Sequence, residues 1–166
     1  MIHFDCFRND DPPRLADVWR ATDLGPAALQ PMTSAALEAA VFSKPYFDRH
    51  GLIVARDDNR LVGFAHAAFG PSADRSALDH AVGTTLLVVV PPHEQKTVIE
   101  DGLLVKSEAY LRHGGATTIL GGGSPDVGGF YLGLYGGCDL PGILDSSPAM
   151  QAVFRRNGYG EAGRIA

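Results

Sequence analysis

The apolar run Leu86–Val90 constrains the fold of this chain most strongly. A continuous apolar run of this length predicts a strand buried on both faces, and Pro91 and Pro92 end it because proline cannot donate to a sheet ladder. A helical pattern follows from about Gln95 to Leu111, and Ala116–Leu120 predicts another strand. Strand, helix and strand in this order predict a right-handed crossover between parallel neighbours.

The remaining sequence predicts elements on either side of this unit. Turn residues at Asp57–Arg60 separate two apolar segments and predict a β-hairpin. The glycine-rich segment Gly121–Gly142 predicts a long surface loop. The other expected elements are a strand at His3–Arg8, a helix with Leu15, Val18 and Trp19 on its apolar side, a second helix from Thr33 or Ser34 to Phe42, hairpin strands Leu52–Ala55 and Leu61–Phe69, a polar loop at Pro71–His80, a last helix at Ser147–Arg156 and a short strand within Tyr159–Ala166.

Composition restricts the class of protein. The 166 residues fit a single domain, residues 1–166, and 45% apolar with 20% charged residues is typical of a globular chain. The net charge of −5 argues against nucleic-acid binding. No apolar run approaches the ~20 residues that span a bilayer. Met1–Asp5 lacks the features of a signal peptide, so we expect a cytoplasmic protein without membrane contact.

The metal-binding and disulfide chemistry of the chain is expected to be sparse. The six histidines lack metal-ligand spacing, so no metal site is predicted. Cys6 and Cys138 lie far apart in the sequence, and without a secretion signal they are expected to be free thiols.

Three local motifs add to the order of elements. Asn59–Ala65 reads NRLVGFA across the predicted hairpin, Leu86–Leu104 reads LLVVVPPHEQKTVIEDGLL, and Ala152–Tyr159 reads AVFRRNGY at the end of the last helix. Together with the element order, these motifs resemble the GNAT family of acetyl-CoA-dependent N-acetyltransferases over almost the whole chain. The resemblance implies the GNAT, or acyl-CoA N-acyltransferase, fold: an α/β (α+β) domain with a mixed, mostly antiparallel twisted sheet flanked by helices.

The resemblance also implies acetyl-CoA as co-substrate and a place for it. In the family, the pyrophosphate lies at the N-terminus of the helix after the central strand, where unpaired amides and the helix dipole favour an anion. The family pattern Arg/Gln-x-x-Gly-x-Gly/Ala maps onto Gln95, Lys96, Thr97, Val98, Ile99 and Glu100. The thioester carbonyl would be polarised by a backbone amide of the central strand, at Val88, Val89 or Val90.

Two of these positions depart from the family pattern. Val98 replaces the first glycine, and its β-branched side chain hinders close approach of the backbone to a phosphate. Glu100 replaces the second small residue and brings a negative charge towards the pyrophosphate. Both changes predict weakened acetyl-CoA binding. Val98 is also expected on the buried side of the helix, together with Ile99 and Leu103.

The last helix and the glycine-rich segment depart as well. Family members often carry a tyrosine that protonates the leaving thiolate, and Phe154 occupies that position here, while Tyr159 is expected to be structural. No general base is assigned. The segment Gly129–Gly142 resembles one in the N-terminal half of tandem GNAT proteins. The sheet is therefore expected to lack its C-terminal strand or to be completed by a second half.

Five further side chains have both a functional and an ordinary interpretation. Tyr131 and Tyr135 could line an acceptor pocket, and packing is the more common role of such residues. Cys138 has no evident base beside it and is expected to be an idle thiol. His66 could face a cleft, although a half-buried structural histidine is the favoured interpretation. Glu38 could contact an acceptor amine or lie on a solvated helix face.

Two functions therefore remain. The resemblance implies transfer of an acetyl or other acyl group from coenzyme A to a primary amine of a small molecule or peptide. The alternative is a catalytically degenerate GNAT-like domain that pairs with a second GNAT domain, or with a second copy of itself, and shapes the acceptor site. Val98, Glu100 and Phe154 favour the alternative.

Overall fold

A computed structural model describes residues 1–124, 127 and 129–163. The strands are β1 (Ile2–Cys6), β2 (Leu52–Asp57), β3 (Arg60–Pro71), β4 (Leu78–Val89) and β5 (Thr118–Gly121). The helices are α1 (Pro12–Ala21), α2 (Ser34–Leu37), α3 (Lys96–His113), α4 (Gly136–Asp139) and α5 (Pro148–Arg156), and a π-helical turn, Glu38–Phe42, continues α2. Within the described residues, no helix is both long and apolar enough to cross a membrane.

The five described strands form one mixed sheet in the order of the sequence. Neighbouring strands from β1 to β4 are antiparallel, and β5 lies parallel to β4. This arrangement confirms the expected mostly antiparallel sheet, the hairpin of β2 and β3, and the strand–helix–strand unit. The residues that pair in parallel are Val82–Thr85 and Thr118–Gly121. The apolar run Leu86–Val90 is therefore the continuation of β4 beyond that pairing.

A β-bulge lies where the pairing of β4 with β5 ends. Leu87 is opposite His66 on β3, but Thr85 is opposite Ala67, so Leu86 is one extra residue on β4. A bulge bends its strand and increases the local twist. β4 and β5 consequently separate after Thr85.

Helices cover both faces of the sheet. On β3, Gly63 faces Ile99 of α3: a side chain at Gly63 would lie 3.2 Å from the Ile99 methyl group. His66 is three residues further on and faces the opposite side, because strand side chains alternate. There it meets Tyr131, which in turn stacks on Trp19 of α1 at a ring distance of 6.0 Å. The C-terminal end of β4 thus lies between two helical layers.

Several sequence-based expectations are wrong in detail. Val98 is 62% exposed, because the buried stripe of α3 contains Ile99, Glu100 and Leu103 and turns Val98 to solvent. The polar loop expected at Pro71–His80 is shorter than predicted: residues 72–77 form it, because β3 extends to Pro71 and β4 begins at Leu78.

Other expectations about the second half of the chain also change. The described part of Gly121–Gly142 is mostly buried rather than a surface loop, because its aromatic and aliphatic side chains join the core. No strand forms at Tyr159–Gly163, and residues 164–166 lie outside the described residues. Cys6 and Cys138 are free, as expected.

A buried ion pair fixes α1 to the sheet. Asp11, at the start of α1, is fully buried, and one guanidinium nitrogen of Arg56 on β2 donates to both of its carboxylate oxygens at 2.8 Å. The N–H of Arg8 also donates to Asp11, at 2.8 Å. Removing one member of a buried pair leaves the other charge without compensation, which is far more costly than losing an exposed pair.

We expect Arg56→Met to lower the free energy of unfolding by about 3 kcal/mol in a urea titration, because the buried Asp11 loses its two 2.8 Å contacts and is left with the more distant guanidinium of Arg14, 3.7 Å away. Arg112→Met is the matched control, since Arg112 at the end of α3 forms an exposed pair with Glu108 and its loss should change stability by less than ~1 kcal/mol. Equal losses for the two variants would contradict the structural role of the buried pair.

Candidate active site at the separation of β4 and β5

The separation of β4 from β5 creates a wedge inside the protein. The last backbone hydrogen bond between the two strands runs from the N–H of Gly122, just after β5, to the Thr85 carbonyl on β4, and is 2.8 Å long. Beyond it, the edge of Leu86–Val90 that faces away from β3 has no strand neighbour among the described residues. All five residues of this segment are buried. Buried backbone groups without partners are costly, so this edge is suited to a ligand that carries amide groups.

Two of the predicted cofactor-binding valines, Val88 and Val89, lie in β4 along this open backbone edge. Val88 lies opposite Ala65 and Val89 opposite Phe64 on β3. Val90 follows directly, and its methyl group would lie 2.9 Å from a side chain at Gly63. Gly63 is therefore needed for the close approach of β3, β4 and α3 at this point.

The N-terminus of α3 presents two backbone amides. The Gln95 N–H is 3.0 Å from His93 Nδ1, and the Lys96 N–H donates to the His93 carbonyl. Within the described residues, the N–H groups of Thr97 and Val98 meet no acceptor. These two amides lie at the positive end of an 18-residue helix, an arrangement that is suited to an anion.

The remaining predicted residues of this turn have separate roles. Ile99 is fully buried, and its N–H donates to the Gln95 carbonyl, so it belongs to the core. Glu100 is buried rather than directed freely at solvent, and its carboxylate oxygen Oε2 lies 2.8 Å from the guanidinium of Arg156. Lys96 Nζ lies 3.8 Å from the other oxygen. The sequence pattern contained no signal for this pairing, because Arg156 is distant in the chain.

Phe154 occupies the β5 side of the wedge. Its ring is buried, and a side chain at Gly121 would lie 2.5 Å from it, so glycine is required where β5 ends. The Tyr159 ring packs edge-on against Phe154 at 5.0 Å, which agrees with a structural role for Tyr159. Phe154 offers no proton donor at this position.

The glycine-rich segment supplies core side chains on the α1 side of the sheet. Its buried members are Val127, Phe130, Tyr131, Leu134, Tyr135 and Cys138. Backbone hydrogen bonds hold it to the loop after α1: the Leu29 N–H donates to the Leu134 carbonyl at 2.8 Å, and the Gly136 N–H to the Ala27 carbonyl at 2.9 Å. Tyr131 and Tyr135 therefore pack, as the favoured interpretation held. Burial raises the pKa of the Cys138 thiol, so it is a poor nucleophile.

His66 and Tyr131 form a buried polar pair beside this segment. His66 Nδ1 lies 3.1 Å from the Tyr131 hydroxyl, and both residues are about 1% exposed. His66 is thus more deeply buried than expected. Burial lowers the pKa of His66 to about 3 and raises that of Tyr131 well above its ordinary value. Both side chains are neutral at neutral pH, and the pair works as a hydrogen bond within the core.

Two further expectations concern the surroundings of the wedge. Glu38 is exposed on the π-helical turn, which agrees with a solvated helix face. The described residues contain no group of three or more histidine, cysteine, aspartate or glutamate side chains that could hold a metal.

Comparison with known proteins identifies the fold. No protein-family model and no curated protein matches the chain. Among solved structures, a GNAT family acetyltransferase from Brucella melitensis in complex with acetyl-CoA is 20% identical over 80% of each chain, with a TM-score of 0.57. The Salmonella typhimurium protein YncA, with its cofactor acetyl-CoA, is 14% identical over 99% of this chain and 82% of its own, with a TM-score of 0.66.

A ribosomal-protein-alanine N-acetyltransferase from Brucella melitensis biovar Abortus matches as well. It is 11% identical over 99% of this chain and 96% of its own, with a TM-score of 0.61. The chain therefore has the fold of the GNAT acetyltransferases, which confirms the resemblance in its structural part. At these identities the matches define the fold, and the activity has to be argued from the site itself.

The low pKa of His66 predicts a pH-dependent stability. In the unfolded chain His66 is protonated below its ordinary pKa of 6.5, whereas in the folded chain it is protonated only below about pH 3. Lowering the pH from 6 to 4 therefore favours unfolding, by about 1.4 kcal/mol per pH unit for this group. We expect His66→Gln to remove that part of the slope in urea titrations. The exposed His113→Gln is the matched control, and an unchanged slope for His66→Gln would contradict the assignment.

Proposed function

We propose that this protein binds acetyl-CoA in the wedge between β4 and β5 and transfers the acetyl group to a primary amine of a small molecule or peptide. The observation that carries the proposal is the buried edge of Leu86–Val90, which has no strand neighbour and leads directly to the free amides of Thr97 and Val98. An edge of this kind suits the two amides of a pantetheine arm, and the helix N-terminus suits its diphosphate. Structures of the same fold contain acetyl-CoA.

The chain's own residues would contribute mainly by positioning. Backbone groups of Val88, Val89 and Val90 would bind the pantetheine arm and polarise the thioester carbonyl. Lys96 and the amides of Thr97 and Val98 would hold the diphosphate, with Gln95 at the start of the turn. Holding the thioester next to a neutral amine lowers the entropic part of the barrier. The chain has two free thiols, which fits a reducing compartment such as the cytoplasm.

Titration with acetyl-CoA tests the binding step. We expect saturable heat in calorimetry, and in amide NMR spectra the largest shifts at Thr97, Val98 and Leu86–Val90. Amide shifts at residues 72–77 should be absent, because this loop lies at the opposite end of β4 from Leu86–Val90. No heat and no thermal stabilisation at millimolar acetyl-CoA would contradict the enzyme and leave the structural alternative.

That alternative has its own support in Phe154. We propose as the second candidate a catalytically degenerate GNAT-like domain that shapes the acceptor site of a second GNAT domain or pairs with a second copy. Phe154 fills the place of a proton donor with a buried ring, and the glycine-rich segment closes the α1 side of the sheet with packed aromatics. In this second candidate, a second half would complete the sheet beside β5.

Phe154→Tyr separates binding from turnover. If acetyl-CoA binds but the thiolate leaves without a nearby acid, the added hydroxyl should help the thiolate to leave. We then expect the rate of coenzyme A release, measured with a panel of primary amines as acceptors, to rise by about tenfold or more. Phe154→Leu is the control, because it changes the packing without adding a donor. Equal rates for both variants would show that the leaving group is protonated elsewhere.

A further inference from the structure

The C-terminal end of α5 is bound to the first turns of α3. Arg156, the last residue of α5, places Nη2 2.8 Å from Glu100 Oε2 and Nε 2.7 Å from Asp101 Oδ1. Asn157 donates to the same Asp101 oxygen at 2.8 Å. Within the described residues, the other terminal nitrogen of Arg156, Nη1, donates no hydrogen bond.

These contacts lie on the first two turns of α3, the helix whose Thr97 and Val98 amides are free. Lys96 is the first residue of the helix, and its Nζ is 3.8 Å from Glu100 Oε1, so the Glu100 carboxylate lies near the N-terminal turn. The charges of Lys96 and Arg156 balance those of Glu100 and Asp101. Without Arg156 the same turn would carry a net negative charge next to the amides of Thr97 and Val98.

We propose that Arg156 determines the affinity for the diphosphate of acetyl-CoA, by neutralising Glu100 and by donating from Nη1 to the phosphate oxygens. The inference rests on the proposed function and assigns its cofactor site a residue from outside the α3 turn. A guanidinium is suited to both tasks, because it stays charged and presents several donors in one plane. Charge-assisted hydrogen bonds of this type are the strong ones. Arg156 would thereby compensate for the glycines that Val98 and Glu100 replace.

Two ligands distinguish this role from simple packing. S-acetylpantetheine carries the thioester and the pantetheine arm but no diphosphate. We expect Arg156→Gln to weaken acetyl-CoA binding about tenfold, the size of one charge-assisted contact, and to change S-acetylpantetheine binding less than twofold. Arg155→Gln is the matched control: Arg155 is the preceding residue, exposed and without a recorded ion pair in the described structure.

A double substitution isolates the part of Glu100. In the presence of Arg156, Glu100→Gln should change acetyl-CoA affinity less than threefold, because the carboxylate is already neutralised. In the Arg156→Gln background the same change should recover most of the lost affinity. Recovery would support the inference, since it shows that the unpaired carboxylate opposes the ligand.

The outcomes separate this inference from the proposed function. If the unmodified protein binds acetyl-CoA and Arg156→Gln binds it equally well, the role of Arg156 is wrong and the proposed function stands. If Arg156→Gln weakens both ligands to the same extent and lowers the melting temperature, the ion pair only holds α5 in place, which also overturns the inference. If the unmodified protein binds neither ligand, both the inference and the proposed function fail.

Discussion

The separation of β4 from β5 after Thr85 is the constraint on which the rest of the site depends. The extra residue Leu86 bends β4 away, and the Gly122 N–H makes the last link to the Thr85 carbonyl. The chain then turns aside through Gly122, whose φ of +90° and close contact with the Gly142 backbone exclude a side chain. A strand edge left open in this way inside a protein must find partners elsewhere. The unpaired backbone groups in the wedge destabilise the fold unless a ligand binds to them. This is the physical reason to regard the wedge as a candidate binding site.

The glycine-rich segment is built around rigid aromatic packing. Tyr131 has a φ of +59°, a backbone conformation that is unfavourable for a large side chain. It is held there by the stack on Trp19 and the hydrogen bond to His66. The segment therefore gains buried area and a satisfied polar pair at the expense of local strain. The segment thereby closes the α1 side of the sheet with packed side chains.

Local sequence patterns predicted the fold because its strands and helices are encoded locally. Leu86–Val90 and the prolines after it predicted the central strand, and the order of elements carried the resemblance. The site was harder to predict. Val98 was placed on the wrong side because the apolar pattern of α3 is weak and the buried stripe includes the charged residue Glu100. The burial of Glu100 depends on Arg156, a contact over 56 residues that no local pattern reveals. In the glycine-rich segment, the paired aromatics Phe130 and Tyr131 were the signal of burial that the glycines obscured.

The structure changes the expected effect of the departures from the family pattern at Glu100 and Val98, but not of that at Phe154. An unpaired carboxylate about 5 Å from a phosphate charge costs roughly 3 kcal/mol at an effective dielectric near 20. The guanidinium of Arg156, 2.8 Å from the same carboxylate, adds a positive charge at nearly the same place, so a phosphate meets a pair of charges that largely cancel. Val98 is exposed, so its side chain can remain in solvent while its N–H stays available. On these grounds we expect neither residue to prevent binding of acetyl-CoA. Phe154 is different, because its ring carries no hydroxyl and packs against Gly121 and the Tyr159 ring. We therefore expect the choice between an enzyme and a degenerate domain to depend on proton transfer at the thiolate rather than on the charge of the cofactor site.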